Sequence, residues 1–212
     1  DDRELLRIEK DGKIPSYLTG EMTDLAIAWR RPVAIMIRND KAALPHYGIN
    51  HAGVIYEAPV EGGMNRFMAV IEDYDNLERI GSVRSCRTYY TFFAREFEAV
   101  YAHFGQSVFA RPYLEKMEHL NGIEGKGSVA FYRTKDKKAP HNAYASGERI
   151  QKAIEAMGYS REYPESYTGH YRFSKKEYPV MLENGFSAAF VRPGYVMNDP
   201  WFEYNADDGL YY

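Results

Sequence analysis

Residues 32–38 read Pro-Val-Ala-Ile-Met-Ile-Arg, and this stretch decides the class of fold. A short run of β-branched and apolar residues is typical of a buried strand. Two more strands are predicted after it, over 53–58 and 66–71, and the turn Glu61-Gly62-Gly63 between them indicates an antiparallel pair. The centre of the molecule is therefore predicted to be a β-sheet.

Helices are expected to pack on this sheet. Helical periodicity and turn residues predict helices over 88–98, 111–120 and 146–157, and further strands over 99–104, 128–133 and 186–192. Thr88 and Ser146 are the expected N-caps of the first and last helix, and Gly158 is the expected stop of the last. Together the elements predict a mixed α+β fold, a layered sandwich of sheet and helices.

The remaining segments divide the chain. The first thirty residues are polar and broken by glycine and proline, which predicts an N-terminal arm lying over a main domain of residues 31–192. Residues 73–83 are predicted to form an acidic loop, and residues 158–178 a long Tyr- and Gly-rich loop that is either functional or a tether. Residues 193–212 hold a hairpin signal around Asp208-Gly209 and are interpreted as the start of a truncated C-terminal β domain.

Composition narrows the classes of function. The net charge of −3 gives no global field that attracts nucleic acid or acidic membranes. The single cysteine, Cys86, excludes an internal disulfide and a zinc site of several thiolates. No apolar run approaches the roughly 20 residues of a membrane span. The 19 tyrosines suit either half-wet binding surfaces or a sheet-rich core, and composition does not separate the two.

Glutamates and glycines cluster between the second and third predicted strands. Residues 57–66 read Glu-Ala-Pro-Val-Glu-Gly-Gly-Met-Asn-Arg. Glu57 and Glu61 are candidates for the paired carboxylates of acid–base chemistry or a metal site, and Gly62-Gly63 can let a ligand approach the backbone. The alternative, favoured here, is a hairpin whose acids form ion pairs with Arg66 and its neighbours.

Arginines cluster just before the first predicted helix. Arg79, Arg84 and Arg87 lie within nine positions of one another, beside the hydroxyl of Ser85. Guanidinium groups with hydroxyl donors at a helix N-terminus suit a carboxylate or phosphate. The alternative is a solvated basic turn that pairs with the acidic residues 72–78. The segment does not match a P-loop, because the lysine and the glycine spacing are absent.

The remaining reactive side chains are scattered. His103 follows a predicted strand, and His141-Asn142 follow Pro140, where they could orient a ligand or a base. No histidine pair has the spacing of a metal site, so neither a metal nor a cofactor is indicated. Each histidine alone is more often structural, and an inert, buried Cys86 is favoured over an activated thiolate.

A series of short motifs in one order resembles a known family. The motifs are Leu18-Thr19-Gly20, Arg31-Pro-Val-Ala-Ile-Met36, Ile55-Tyr-Glu-Ala58, Glu61-Gly-Gly63, Arg66-Phe-Met-Ala69, Arg79-Ile-Gly81, Val83-Arg-Ser85, Arg87, His103-Phe-Gly105 and Pro140-His-Asn142. As a set they resemble the YerB-like lipoproteins of Gram-positive bacteria.

The resemblance implies a layered α/β-type sandwich on the extracellular face of the cytoplasmic membrane. It implies a lipid anchor on a cysteine upstream of Asp1, and a smaller C-terminal domain that opens with the hairpin around Asp208-Gly209. The family has no assigned biochemical function, so no catalytic residue is carried over. It commonly has a small residue where Cys86 stands, which argues further against thiol chemistry.

Three functional hypotheses follow. The first is a cell-envelope domain that binds an anionic small molecule or a cell-wall glycan at an Arg- and Glu-rich cluster. The residues expected at this site are Glu57, Glu61, Arg66, Arg84, Ser85, Arg87, His103, His141 and Asn142, with the two glutamates orienting the arginines. The second is an envelope hydrolase or transferase that uses Glu57 or Glu61 as general base. The third is a protein-docking surface over residues 159–178, and no hypothesis involves nucleic acid.

Overall fold

The computed structural model describes residues 2–180, 182 and 184–212. Its strands are β1 (Lys13–Pro15), β2 (Met22–Asp24), β3 (Val33–Asn39), β4 (Val54–Pro59), β5 (Asn65–Ile71), β6 (Ile80–Gly81), β7 (Val100–His103), β8 (His119–Asn121), β9 (Phe131–Arg133), β10 (Ala143–Ala145), β11 (Phe190–Val191), β12 (Phe202–Asn205) and β13 (Leu210–Tyr211). Its α-helices are α1 (Leu25–Ala28), α2 (Thr88–Glu96), α3 (Arg111–Leu114) and α4 (Gly147–Met157).

A five-stranded mixed sheet forms the centre, with the strand order β4-β5-β3-β7-β8. The apolar strand β3 is its middle strand, antiparallel to β5 and parallel to β7. Pairing runs along the whole of β3, from Val33 opposite Ile71 to Asn39 opposite Asn65. The sequence prediction of a buried strand at 32–38 and of an antiparallel pair after it is confirmed.

Each face of this sheet is covered by helix. Alternate residues of a strand point to opposite faces, so Ile35 and Met36 enter different cores. Ile35 lies in a core with Ile150 and Ile154 of α4, and Met36 lies in a core with Tyr90 of α2. Both cores consist of residues with almost no exposed surface. The predicted mixed α+β sandwich is confirmed.

Three smaller sheets lie around the central one, with the orders β6-β10-β9, β1-β2 and β11-β12-β13. The last contains the predicted hairpin, in which β12 and β13 pair around Asp208-Gly209. Within the first thirty residues the chain forms the β1–β2 hairpin and α1, and it buries Ile14, Leu18 and Ala28. The proposed domain boundaries stay predictions.

Several predicted elements are shorter than expected or wrong. The helix predicted over 111–120 ends at Leu114, because His119–Asn121 pairs with β7 as strand β8. The strand predicted over 128–133 keeps only Phe131–Arg133, since a 3-10 turn covers Lys126–Ala130. The strand predicted over 186–192 is reduced to Phe190–Val191.

Two local predictions near α2 also need correction. The predicted loop over 73–83 contains strand β6, which pairs with β10. Thr88 is the first residue of α2 and not its N-cap, because the extended backbone residue before the helix is Arg87. The prediction for α4 is confirmed: Ser146 Oγ accepts a hydrogen bond from Arg149 N, and Gly158 ends the helix in the left-handed conformation.

Among the described residues, none of the helices has the length and apolar character that crossing a membrane requires.

Candidate functional site

The candidate site lies at one edge of the central sheet. Because β3 and β7 are parallel, their carboxyl ends reach the same edge, and residues 82–86 run between them there. Arg38 N donates to Ser82 O (3.0 Å), Arg84 N donates to Met36 O (3.0 Å), and Phe104 N donates to Arg84 O (2.9 Å). Ligands of α/β sheets commonly bind outside the carboxyl ends of strands. The arginine-rich segment predicted from sequence is therefore held at such an edge.

Two strands bring further arginines to this edge. Arg38 and Arg66 are directly opposite each other in the β3–β5 register. Each lies on the face that carries Met36 and Met68, above the core next to α2. Like charges opposite each other in neighbouring strands are destabilising. The repulsion between these two arginines is therefore a cost that other groups must offset.

Each member of the pair has one fixed partner. Arg38 forms an ion pair with Asp40. Arg66 is buried, and its Nη1 donates to the main-chain oxygen of Ser85. The Ser85 hydroxyl donates to Phe104 O (3.0 Å). Ser85 therefore uses both its carbonyl and its hydroxyl to hold the edge together.

Arg87 and Glu61 form the predicted ion pair. Arg87 Nε and Nη2 donate to the two carboxylate oxygens of Glu61 at 2.5 and 2.7 Å, and Nη1 donates to Cys86 O (2.8 Å). The hydrogen bond from Arg87 lowers the pKa of Glu61 to about 2. Glu61 thus holds Arg87 in place and is too weak a base for proton abstraction near neutral pH.

Arg84 lies among these groups with little to compensate its charge. Its Nη1 donates to Pro140 O (3.0 Å), while its shielded Nε has no hydrogen-bond partner among the described residues. Burial, and next the charges of Arg38 and Arg66, lower the pKa of Arg84 to about 10.

Four guanidinium groups at this edge are together called the arginine cleft below; they belong to Arg38, Arg66, Arg84 and Arg87. The carboxylates of Asp40 and Glu61 are each paired with another arginine of the cleft, Arg38 and Arg87 respectively.

Lys137 adds to the positive field of the arginine cleft, and His141 lies beside it. Lys137 Nζ donates to Ala43 O (3.0 Å) and Leu44 O (2.7 Å). Burial, and next the charge of Arg38, lower the pKa of His141, whose Nδ1 lacks a partner in the described part of the chain. His141 therefore lies beside the arginines, and its contact with a ligand stays a prediction.

Asn142 follows His141 in the chain and is buried. It accepts from Arg133 Nη1 (2.7 Å) and donates to Thr134 O (2.8 Å), so both ends of its amide hold the β9–β10 connection. A ligand contact by Asn142 stays a prediction.

Glu57 does not orient the arginines. Ala58, and not Glu57, is opposite Arg66 in the β4–β5 register, so the Glu57 side chain points to the other face of the sheet. There it accepts from the amides of Asn39 (2.8 Å) and Asn65 (3.1 Å). A one-residue offset in a strand moves a side chain to the opposite face, which is the reason for this error.

His103 does not line an open cleft. It is fully buried, with Nδ1 on Gly105 O (2.8 Å) and Nε2 on His119 Nδ1 (3.0 Å). Burial lowers its pKa to about 3. The two rings stack with centroids 5.1 Å apart. His103 belongs to the interior beneath the edge.

Two other candidates lie outside the cleft. Arg79 is stacked between Tyr47 and Tyr144, at 4.0 and 3.9 Å from the ring centroids, and forms an ion pair with Asp136 (2.9 Å). Cys86 is buried, and burial raises its pKa to about 11. A thiol with that pKa is protonated near neutral pH and is a poor nucleophile.

Sequence reasoning missed Arg38, which was interpreted only as the end of a strand. Its position at the carboxyl end of the most apolar strand was the available signal. No group of three histidine, cysteine, aspartate or glutamate side chains in the described ranges is arranged to hold a metal ion.

Comparison with known proteins places the chain in a family. A family model described as "Protein of unknown function (DUF3048) N-terminal domain" matches residues 18–160. The chain belongs to this family. All four residues of the arginine cleft lie within the part that the DUF3048 model matches.

A relative and a solved structure agree with the DUF3048 assignment. The chain is 36% identical over 149 residues to "Putative lipoprotein YerB" of Bacillus subtilis (strain 168), a match that covers 69% of this chain and 44% of the relative. It is also similar to the crystal structure of the YerB protein from Bacillus subtilis, with a TM-score of 0.71 and 28% identity over 92% of this chain and 64% of that one. The chain thus spans less than two thirds of either protein, and the predicted YerB-like resemblance is confirmed.

Proposed function

We propose that the arginine cleft binds an anionic ligand that carries phosphate or carboxylate groups. The observation that carries the proposal is the position of Arg84, which is flanked by like charges and has a shielded Nε without a partner in the described part of the chain. A buried donor without a partner calls for an explanation, and a bound ion is one such explanation. An anion in the cleft would supply that donor with an acceptor and offset the repulsion between the guanidinium groups.

The geometry of the neighbours supports the same ligand class. Guanidinium groups bind carboxylate and phosphate through two parallel hydrogen bonds. Glu61 fixes the plane of Arg87, and the Ser85 carbonyl fixes Arg66. An anion would therefore meet donors that are already oriented, which lowers the entropy cost of binding.

The similarity to YerB supports a cellular location for the proposed binding. YerB of Bacillus subtilis is named a lipoprotein, and we propose that this protein is likewise held by lipid at the cell envelope, on the extracellular side. A phosphate-bearing wall polymer or an anionic wall glycan would be accessible there.

The hydrolase hypothesis is not supported by the geometry. Glu57 and Glu61 lie on different sides of the sheet, and His103 is buried beneath it. The three groups therefore do not converge on one reacting atom, which general acid–base catalysis requires. We propose binding and not catalysis.

A thermal-shift experiment tests the proposal. Inorganic phosphate, pyrophosphate and citrate would be added separately to the purified protein at low ionic strength. A ligand at 100 times its Kd stabilises by about 2.7 kcal/mol, and about 2–4 °C of melting temperature accompany each kcal/mol in a domain of this size. We expect one or more of these anions to raise the melting temperature by roughly 5–10 °C.

A double substitution identifies the site. Arg84→Gln with Arg87→Gln should abolish the shift, while Arg149→Gln with Arg172→Gln removes the same charge elsewhere and should preserve it. Arg172 is a matched control because it also binds a carboxylate, Glu4, through two hydrogen bonds. Equal shifts in both double variants would show that the anions bind outside the cleft.

A further inference from the structure

A second concave site lies at the opposite end of β3 from the arginine cleft. It is a groove of about 930 Å³ between α1 and residues 161–168, and it is called the aromatic groove below. Its volume is within the range of small-molecule sites, roughly 300–1,000 Å³. Its lining includes the rings of Tyr17, Trp29, Tyr163 and Tyr167.

The rings hold one another in fixed positions. Tyr163 and Tyr167 stack with centroids 4.6 Å apart and an interplanar angle of 8°. The ring of Tyr17 meets both of them edge to face, at 5.3 and 5.0 Å. The Tyr17 hydroxyl donates to Tyr167 O (3.1 Å), and Tyr163 N donates to Trp29 O (3.2 Å). The groove wall is therefore formed before any ligand binds.

Trp29 is an exposed ring with a supported position. Trp29 has 46% of its surface exposed to solvent. The guanidinium of Arg7 lies 4.3 Å from its centroid and 3.6 Å from that of Tyr17. Arg7 also donates to Pro15 O and Ala28 O, both at 2.7 Å, and it is not part of the groove lining. An indole that is held in this way and left open to solvent suits stacking of a ligand ring.

Polar groups on the floor of the groove are planar and fixed. Asp75 forms an ion pair with Arg30 Nη1 at 3.0 Å and accepts a hydrogen bond from Arg161 Nη2 at 2.7 Å. Side chains held in such a network present their remaining lone pairs and N–H groups in set directions, which suits neighbouring hydroxyl groups of one ligand. The Tyr163 hydroxyl, which is shielded from solvent, has no hydrogen-bond partner among the described residues. Because it is shielded, this hydroxyl lies behind the groove surface, and a ligand in the groove would contact the Tyr163 ring and not the hydroxyl.

The charge of the groove selects against both kinds of ion. Its lining has the carboxylates of Asp75, Glu162 and Glu165 against the guanidinium groups of Arg30 and Arg161, so the balance is near neutral. An anion would be attracted more strongly by the arginine cleft. A cation would be repelled by the two arginines of the groove and by Arg7 behind Trp29. A neutral ligand with one apolar face and several hydroxyl groups fits the lining.

We propose that the aromatic groove binds a neutral oligosaccharide. One pyranose ring would stack its C–H face on Trp29, and its hydroxyl groups would bind Asp75 and Arg161. This site is separate from the arginine cleft and does not depend on the proposal made for it.

Tryptophan fluorescence provides the test. The chain has two tryptophans, so Trp201→Phe leaves Trp29 as the single reporter. The variant would be titrated with the β-1,4-linked tetrasaccharides of glucose and of N-acetylglucosamine, and at least one is expected to give a saturable change in emission. Adding Arg84→Gln and Arg87→Gln to the Trp201→Phe variant should leave the emission titration unchanged. That result would separate this site from the arginine cleft.

Calorimetric titration of further variants locates the sugar. Trp29→Ala should weaken binding roughly tenfold, as loss of a stacking ring does elsewhere. Phe92→Ala is the control, because Phe92 has the same exposed fraction of 46% but lies on α2 against Tyr113. Arg161→Gln should weaken binding several-fold, because it removes N–H groups that the sugar hydroxyls would bind on the groove lining.

Two results would overturn the proposal. One is the absence of saturable binding by either tetrasaccharide, in the millimolar range, to protein that melts cooperatively. The other is binding that survives both Trp29→Ala and Arg161→Gln with unchanged affinity, because the sugar would then occupy a different surface.

Discussion

At the scale of single residues, Arg84 shows a conflict between stability and binding. Its pKa is lowered to about 10, first by burial and then by the charges of Arg38 and Arg66. A cation whose folded-state pKa is lowered destabilises the fold while it is charged, at every pH below that value. We therefore expect Arg84→Gln to leave the free energy of unfolding unchanged or to raise it by roughly 0.2–1 kcal/mol in the absence of anions.

Urea denaturation at low ionic strength measures this effect. The increase should shrink in about 1 M sodium chloride, because salt screens the repulsion between the arginines. A loss of more than about 1 kcal/mol would instead give Arg84 a structural role, through its hydrogen bond to Pro140 O.

The site was predictable from the sequence only in part. Arg84 and Arg87 were found because arginines are close together in this part of the sequence. Such clustering can be recognised without knowing how the strands pair. The error at Glu57 has the opposite origin, since its direction depends on which residue of β4 is opposite Arg66. Arg38 was missed because its role depends on its cross-strand partner. Burial of His103 likewise follows from its packing on His119.

At the scale of elements, the N-terminus of helix α4 has a side-chain cap and lies very close to the backbone of another segment. Gly147, its first residue, lies so near another segment that an added Cβ would be 1.9 Å from Tyr74 O. Because that atom belongs to the backbone, relief requires the main chain to move. We expect Gly147→Ala to lower the free energy of unfolding by about 3 kcal/mol or more, measured by urea denaturation.

The neighbouring Ser146→Ala variant is the comparison for Gly147→Ala. It removes only the hydrogen bond from Arg149 N to Ser146 Oγ, so a loss of about 1 kcal/mol is expected. Neither variant should change anion binding per folded molecule, since α4 lies on the face away from α2. A smaller loss for Gly147→Ala than for Ser146→Ala would contradict the packing of α4 against Tyr74.

Local sequence signals explain which elements were predicted correctly. The helix α4 has a cap, an apolar face and a terminal glycine, and these act within one turn of the chain. Residues Lys126–Ala130 form a 3-10 turn where the predicted strand was to begin. The segment after Leu114 has helical periodicity but pairs with β7 as β8. Such tertiary contacts override local preference and are not visible in sequence.

At the scale of the whole molecule, the buried histidines tie stability to pH. Burial lowers the pKa of His103 to about 3 from 6.5. The unfolded state then binds a proton that the folded state does not, so stability falls as pH falls below about 6.5. His103 alone should cost about 1–2 kcal/mol between pH 6.5 and pH 5, and the lowered pKa values of His46 and His119 act in the same direction.

Urea denaturation at a series of pH values measures the slope. His103→Gln cannot titrate in this range, so its stability should fall less steeply with acid even if it is lower throughout. Identical slopes for the variant and the original protein would show that His103 is not the group responsible.

The central claim is that the arginine cleft holds an anion, and anomalous diffraction from a crystal soaked in tungstate tests it most directly. Tungstate is a tetrahedral dianion with the shape of phosphate, and its metal can be located without reference to the protein. We predict an anomalous peak within hydrogen-bonding reach of Arg84 and at least one of Arg38, Arg66 and Arg87. Tungstate bound only elsewhere, in a crystal whose packing leaves the cleft open, would contradict the claim.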